Sequence, residues 1–490
     1  MADKREYEAD IAIIGSGGAG ISAGIEALDA GARVLSFEKA EEPGGAAIIS
    51  GGGCCIVGSP VQKALGIEDN PDRAFGDWMN WGGPSADAIW ARYYLEHSLH
   101  DLYYWAEALG VEWVDMKPQE GNSVMRWTRP VGNGQGLTQT LIDSFKSKGG
   151  KIITNTEIFD ITAKNGRVVG FTGRTTGSNE EVIVKSKAVV ATTGGFNSNL
   201  DMVLDVRPEL KNFKVMEGSG RGSTGDGHNM VSRVGGYLTH MDHVWFYCYA
   251  TPDYLDQQGK RGLVCRHIPG YVWVNQQGNR FHNEALSGGN SMSPAMLAQN
   301  PPHAWAIVDT PMKSRLEIAD PYYRDGDQII REKVEELLHN SPFIKKAETL
   351  EELAHSIGVD EKNFVCAITD YNEAVQKGLE TEPAFGKPLT QSKAFDTPPY
   401  FAIQFFPLAR KNFGGIKTDL RCRVLDKHFE PITGLYGAGE LCGMAGGHIN
   451  GRAGLEGTML GPSLFSGRVA GGWAANEAGF GVGFEGKSNR

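Results

Sequence analysis

The sequence predicts an α/β fold: a parallel-sheet domain that the chain leaves once, for an inserted α+β domain, and then re-enters. Three observations carry this. Residues 9–14 (Ala-Asp-Ile-Ala-Ile-Ile) form a short, β-branched apolar run ending at Gly15, the pattern of a strand buried on both faces. Small, helix-compatible residues follow at 18–30 with Gly31 as a stop, and a second strand at Arg33–Phe37 ends in Glu38. From about Gly236 to Pro398 the pattern changes to isolated strands, turns and polar helices such as Asp327–His339 and Thr349–Gly358. The glycine-rich, strand-rich character returns after Tyr400.

The elements between these landmarks read in order. Residues 72–110 are aromatic and helical in period (Trp78, Trp81, Trp90, Tyr94, Leu95, Leu102, Trp105), and core packing accounts for most of them. Lys151–Gly173 alternates as strands around an Asn165–Gly166 turn. Ala188–Ala191 is another buried strand and runs into Thr192-Thr193-Gly194-Gly195. A strand is expected near Tyr271–Asn275, another at Gly434–Ala438, and a final helix from Ser463. No internal repeat is evident.

Composition bounds the function. A chain of 490 residues exceeds one core, so roughly two or three domains are expected. Its 65 glycines are about twice the usual share, and no low-complexity run absorbs them. They imply many tight turns and close backbone approaches, as a large, multiply contacted cofactor demands. A net charge of −11 without a basic block argues against nucleic acid or an anionic membrane as partner. The N-terminus MADKREYEAD lacks the apolar core of a signal peptide, and no stretch approaches the ~20 apolar residues of a membrane span. A cytoplasmic location is expected. Seven scattered cysteines without a CxxC read as free thiols and give no support to a metal or iron–sulfur site. Adjacent Cys54 and Cys55 would bridge only with strain.

Gly15-Ser16-Gly17-Gly18-Ala19-Gly20 satisfies GxGxxG. The pattern is weak alone, but here it follows a strand, opens a helix and precedes an acidic residue, Glu38, about 20 residues on. That is a Rossmann-like dinucleotide site. The first glycine permits the turn, the second lets backbone approach the pyrophosphate, and Gly20 allows close helix–strand packing. The helix N-terminus faces the phosphates and Glu38 the ribose hydroxyls, which disfavours a 2′-phosphate. Glycine-rich Gly44-Gly45-Ala46 and Ser50-Gly51-Gly52-Gly53 come directly after the second strand, where a nicotinamide domain would continue into a helix. Backbone packed along an extended FAD suits that loop better. Thr193-Gly194-Gly195-Phe196 and Gly437-Ala438-Gly439-Glu440 add two more turns of the same kind.

With these segments the chain resembles the FAD-dependent family of fumarate reductase/succinate dehydrogenase flavoproteins and 3-ketosteroid dehydrogenases. The matching stretches are Ile13–Gly20 with Glu38-Lys39, Ala191–Phe196, Thr224–Gly227, Val274–Glu284, Gly414–Asp419, Gly434–Glu440 and Gly457–Gly471. The resemblance implies an FAD-binding domain over 1–236 and 395–490, and a capping domain over 237–394. It adds Lys39, Ile158, Thr193, Gly194, Asn197, Asp226, Gly439, Glu440, Gly457, Ser463 and Leu464 to the expected cofactor contacts. Covalent members carry a histidine just before the Gly-Gly motif; Glu41-Glu42-Pro43 stands there, so dissociable FAD is expected.

By the same resemblance, a hydride moves between flavin N5 and a C=C or CH–CH unit beside a carbonyl or carboxylate. Fumarate reductases deliver the proton from an arginine shortly after the RFxNE motif; here Arg280–Glu284 is followed by Ala-Leu-Ser-Gly288-Gly-Asn. Lys411 replaces the histidine expected three residues before Gly414-Gly415. Both departures count against a dicarboxylate. The Gly454–Gly471 stretch resembles the terminus of ketosteroid dehydrogenases, without their tyrosine before the glycine run. A bulky ring ketone, steroid-like or isoflavonoid-like, fits better. The alternatives are a fumarate- or urocanate-type reductase and a non-catalytic flavoprotein subunit. Arg452 and His448 in the glycine-rich loop are the leading catalytic candidates, Arg452 to stabilise developing charge and His448 to exchange a proton near neutral pH. Tyr247, Arg266, His267 and Lys411 are the others, with His240, His243, Trp245, Phe246 and Tyr249 expected in the capping segment. Glu456 either meets the flavin or caps the last helix. Without a second GxGxxG, a separate electron donor or acceptor is expected.

Overall fold

The apolar run at residues 9–14 lies in the middle of a sheet. In a computed structural model, which describes residues 4–484 apart from 219, 267, 269, 327 and 482, it forms the end of strand β1, Lys4–Ile14. Helix α1 (Gly18–Asp29) and β2 (Val34–Phe37) complete the β-α-β unit. On the other side of β1 runs β3 (Glu181–Ala191), and beyond it β4 (Pro431–Gly437). Lys151–Ile153 extends the sheet beyond β2, and all these pairings are parallel. The buried faces carry Ala12, Ile14, Phe37, Val189, Ala191 and Leu435, consistent with near-continuous apolar strands covered on both sides.

The register matters most for function. Ile14 pairs with Phe37 and with Ala191, and Ala191 pairs with Gly437. Four strands therefore end in one row, and the turns at Gly15, Glu38, Thr192 and Ala438 leave the same edge. Open α/β sheets bind ligands at this edge, outside the carboxyl ends of the strands. The Asn165–Gly166 turn joins Thr156–Lys164 to Arg167–Thr175 with positive φ at both residues, as a two-residue hairpin requires. Helix α2 (Asp226–Arg233) and the last helix, α3 (Leu460–Glu477), complete this unit's main elements. Helix α3 begins three residues before the expected Ser463, because Pro462 falls in a first turn whose N–H groups need no intrahelical partner.

The chain forms two compact units, Met1–Val206 with Ser219–Val244 and Lys411–Arg490, and Arg207–Gly218 with Trp245–Arg410. The sequence places the crossings at 236 and 395. Arg207–Gly218 joins the second unit through Met216–Glu217, which pairs in parallel with the Leu408–Ala409 segment. His240 and His243, expected in the inserted domain, belong to the first unit, because Leu238–Thr239 pairs antiparallel with Gly415–Ile416.

The second unit is α+β, with a four-stranded antiparallel sheet (Val272–Val274, Ala304–Val308, Tyr400–Phe405, Ile344–Ala347) and helices Arg331–Asn340, Leu350–Ile357 and Glu361–Gln376. Thr349 and Glu352 form a capping box and Gly358, at φ 69°, ends the helix between them. The Arg280–Glu284 motif is a staple in this unit. Arg280 holds Glu284 through two hydrogen bonds of 3.0 and 2.9 Å and Glu382 at 3.0 Å, while Lys387 lies 3.3 Å from Glu284. No helix among the described residues is long and apolar enough to cross a membrane.

Candidate functional site

The edge where four strands end carries a cradle built mainly from the first β-α-β unit. Gly15 turns at φ 97°, and a Cβ on Gly20 would stand 2.0 Å from the Gly15 carbonyl oxygen. These two glycines are demanded by the protein itself. Gly17 is not: its φ is −78°, and a Cβ there would meet nothing nearer than the Gly44 oxygen at 4.0 Å. There is space beside Gly17, and the first N–H groups of helix α1 have no side-chain cap. That combination fits a diphosphate.

Around it the predicted contacts gather. The Ser16 N–H donates to the Glu38 carboxylate at 2.9 Å, and the Ala40 N–H donates to its other oxygen, which fixes Glu38 at the strand end. Gly44 N–H bonds the Ser16 oxygen, and residues 44–46, expected as a loop, contain a helical turn, Gly45–Ile48. Gly18 packs under Leu464, with Ala47 and Leu460. Ala46 and Gly51 are exposed, and Gly52 takes φ 72° beside the Ser50 hydroxyl, which accepts its N–H. The Lys39 ammonium bonds Thr224 and Asp226, each at 2.6 Å. Gly194 turns at φ 77°, and the neighbouring Thr193 hydroxyl is buried without a partner. Gly439 turns at φ 71°, and its N–H reaches Ser466 on α3. Gly457 sits against Cys55, whose N–H it accepts at 3.0 Å.

Four expected contacts, Asn197, Glu440, Ile158 and Ser463, have protein neighbours of their own. Asn197 donates to Glu440 at 3.0 Å and to Asn412 at 3.1 Å, and Asn412 also accepts the Phe196 N–H. Asn412 is the residue that sequence reading missed; it ties the Gly194–Asn197 turn to the Gly439–Glu440 turn. Ile158 is 5% exposed and belongs to the core, and the Ser463 hydroxyl bonds the Met459 oxygen within its own helix.

A second set of polar groups in the same unit surrounds the glycine-rich loop at 446–454. The aromatic segment holds this loop: Trp78 donates its indole N–H to Ile449 and Trp81 donates to Gly454. His448 stacks on His240 at 4.1 Å, and His240 lies 5.0 Å from His243. Lys417 lies 3.0 Å from Asp87, which caps the helix Ala88–His97 through the N–H groups of Ile89 and Trp90. Burial alone would raise the Asp87 carboxyl, but Lys417 and the Trp90 N–H outweigh it and hold it below its ordinary range. Burial, with Lys417 and His240 beside it, lowers His448 to about 4. That shift favours the neutral imidazole near pH 7. Arg452 is exposed, and its side chain passes over Gly83.

The remaining candidates separate by unit. Lys411 belongs to the first unit. Tyr247 and Arg266 belong to the second, where Tyr247 is 5% exposed, stacks on Tyr249 at 5.1 Å and meets Trp245 edge-on. His267 lies outside the described residues. In the cluster around His448, Asp87 and Thr239 carry no sequence signal, and Lys417 stands in the Gly414–Asp419 motif, which gives it no role. All seven cysteines are free, and burial raises the Cys54 and Cys55 thiols.

A family model described as FAD binding domain matches residues 10–460. The chain is 31% identical to a probable fumarate reductase, Ifc3, of Shewanella frigidimarina over 479 residues, which cover 96% of this chain and 75% of that protein. It is 27% identical to a vinyl phenol reductase of Lactiplantibacillus plantarum, with 95% of this chain and 96% of that protein covered. Among solved structures, a 3-ketosteroid-Δ4-(5α)-dehydrogenase from Rhodococcus jostii RHA1 in complex with 4-androstene-3,17-dione matches at TM-score 0.74 and 26% identity, covering 96% of this chain and 97% of that one.

Proposed function

The chain belongs to the FAD binding domain family, and from that premise we propose that it reduces or desaturates a bulky, weakly charged ring ketone of steroid-like or isoflavonoid-like type. It is an FAD-dependent oxidoreductase acting on C=C or CH–CH bonds. FAD supplies the hydride carrier, and the chain supplies orientation and electrostatics. In this reading Glu38, Lys39, Asp226 and the cradle glycines hold the cofactor without a covalent bond, and the second unit is the cap. Tyr247, Tyr249 and Trp245 give that cap an aromatic wall suited to ring substrates. Arg452 stabilises negative charge developing on the substrate oxygen. Electrons come from or go to a separate partner.

One observation supports the weakly charged substrate above the others. His448 and His240 are lowered by burial and Lys417 is paired with Asp87, so the loop that carries Arg452 offers no cationic histidine to a second carboxylate. A carboxylate reductase is the second reading, favoured by the 31% identity to the Shewanella protein. It would require Arg452, Lys411 and Arg266 to act on one substrate. Stopped-flow reoxidation of the reduced flavin by fumarate, urocanate, an enone steroid and an isoflavonoid separates the two. Rapid reoxidation by a ring ketone is expected, and rapid reoxidation by fumarate alone overturns the proposal. Acid precipitation is expected to release the flavin into the supernatant; flavin retained in the pellet would show a covalent bond.

A further inference from the structure

The loop of Arg452 is built beside a stacked imidazole pair. His448 and His240 lie nearly parallel, 14° apart in ring plane, and the Thr239 hydroxyl shares a 2.6 Å hydrogen bond with His240 Nδ1. His240 has φ 51°, an uncommon backbone conformation for a residue with a side chain. Its carbonyl oxygen would be 1.8 Å from a Cβ on Gly414, so the backbone there is closely confined. The Lys417 ammonium and the Asp87 carboxylate complete the group. Nδ1 of His448 and Nδ1 of His243 are both buried without a partner. An unpaired buried nitrogen is costly, and two in one cluster call for a functional explanation.

Burial acts first on these rings, and most of the charges that face them act in the same direction. Two imidazoles stacked this closely disfavour a shared positive state, and the Lys417 cation adds to the penalty. Toward His448 stand Lys417, His240, His243 and Asp87; Asp87 is the group that opposes, and it is already engaged by Lys417 and by the helix N–H groups. Toward His240 stand His243, Asp242 and Lys417, with Asp242 opposing. A neutral imidazole keeps one N–H and one lone pair.

We propose that His448 meets the substrate as an uncharged imidazole donating a hydrogen bond to its carbonyl or phenolic oxygen, with His240 and Lys417 as positioning residues that hold the ring's plane and charge state. The identity of that oxygen rests on the proposed function; the charge state does not. An uncharged donor polarises the oxygen and withdraws electron density from the conjugated carbon. It adds no second cation beside Arg452, so it gives no advantage to a carboxylate.

The test uses the holoenzyme with histidine rings labelled for NMR and titrated from about pH 5 to 8, a window that spans the ordinary imidazole pKa. The His448 signal is the one lost in His448→Gln. It is expected not to titrate in this window, and in Lys417→Met its midpoint is expected to rise by about one pH unit or more, because a cation is removed and Asp87 is released. A wild-type His448 midpoint between about 6 and 7 overturns the proposal. In turnover, His448→Gln keeps an uncharged donor and is expected to retain about a tenth of kcat or more, whereas His448→Ala falls ~100-fold. Equal loss in both variants, with flavin content and Tm unchanged, also overturns it. The titration needs no turnover, so an enzyme that reduces only fumarate would remove the proposed function and leave the charge-state result standing.

Discussion

The cradle and the histidine cluster lie in one unit, yet their parts come from very different lengths of chain. Gly15, Gly17, Gly20, Glu38 and Gly44 belong to one β-α-β unit and its following turn, and each sits beside a strand end whose register is set by the sheet. Asp87, Thr239, His240, His243, Lys417 and His448 come from four separate segments, and a helix cap, a two-residue strand pairing and a glycine loop bring them together. In the cradle the backbone does the chemistry, so sequence spacing prescribes it. In the cluster the side chains do, and their meeting depends on the whole tertiary fold.

The largest effect is expected where the cradle is tightest. Gly20→Val would push a side chain into the Gly15 carbonyl oxygen and toward the Thr192 hydroxyl, 2.0 and 2.7 Å from the added Cβ. No FAD-containing folded protein is expected, as judged by flavin absorbance of the purified chain. A yellow, stable variant would show that α1 does not need this approach to the strand.

The opposite region is broken at its charge. Arg452→Ala is expected to lower turnover at least ~100-fold while flavin content stays unchanged, since a group stabilising developing charge is worth ~3 kcal/mol. Normal turnover would remove Arg452 from the site and leave the cluster as scaffolding.

Legibility follows the same division. The α/β class, the GxGxxG turn, Glu38 and the Asn165–Gly166 hairpin are local patterns, and the backbone repeats them. Lys39 and Asp226 were marked by motifs, but their salt bridge at 2.6 Å spans most of two hundred residues and has no signature in spacing. Asn412 stands next to Lys411, which its chemistry made the obvious candidate, while the amide that actually joins two turns looks unremarkable in sequence. Trp78 and Trp81 read as core, yet their indole N–H groups hold the backbone of the loop that carries His448. His240 and His243 are visible as residues, but their unit is not, because a two-residue strand carries too little pattern to assign.

A smaller effect tests whether burial of imidazoles is shared by both regions. His228, on α2 two residues after Asp226, is fully buried with neither ring nitrogen bonded, and burial lowers it to about 4. The unfolded chain binds its proton below about pH 6.5 and the folded chain does so only below about 4, so stability is full above 6.5 and falls as pH drops between them. The loss from this one residue is about 2.5 kcal/mol at pH 4.5 and levels off at about 3.4 kcal/mol below pH 4. His228→Phe, which keeps the edge-on packing against Phe196, should flatten that part of a Tm-against-pH curve. An unchanged acid limb would place the sensitivity elsewhere, with His448 the next group to replace.

The smallest change sharpens the comparison most. Gly17 is the one glycine of the GxGxxG turn whose φ is ordinary and whose added Cβ has 4.0 Å of room from the nearest protein atom. If the protein alone sets the requirement, Gly17→Ala is harmless, and removing glycine's conformational freedom adds ~0.4–1 kcal/mol. If a pyrophosphate lies against this backbone, the methyl group occupies the phosphate's place and affinity falls. The expected result is an apo-protein Tm equal to or slightly above that of the unmodified chain, together with an FAD Kd raised about tenfold, or ~1.4 kcal/mol. Both quantities come from one titration series of apo-protein with FAD. Unchanged Kd would mean that the diphosphate approaches the cradle elsewhere, and the distinction between glycines required by the fold and by the ligand would have to be redrawn from Gly18 and Gly45 outward.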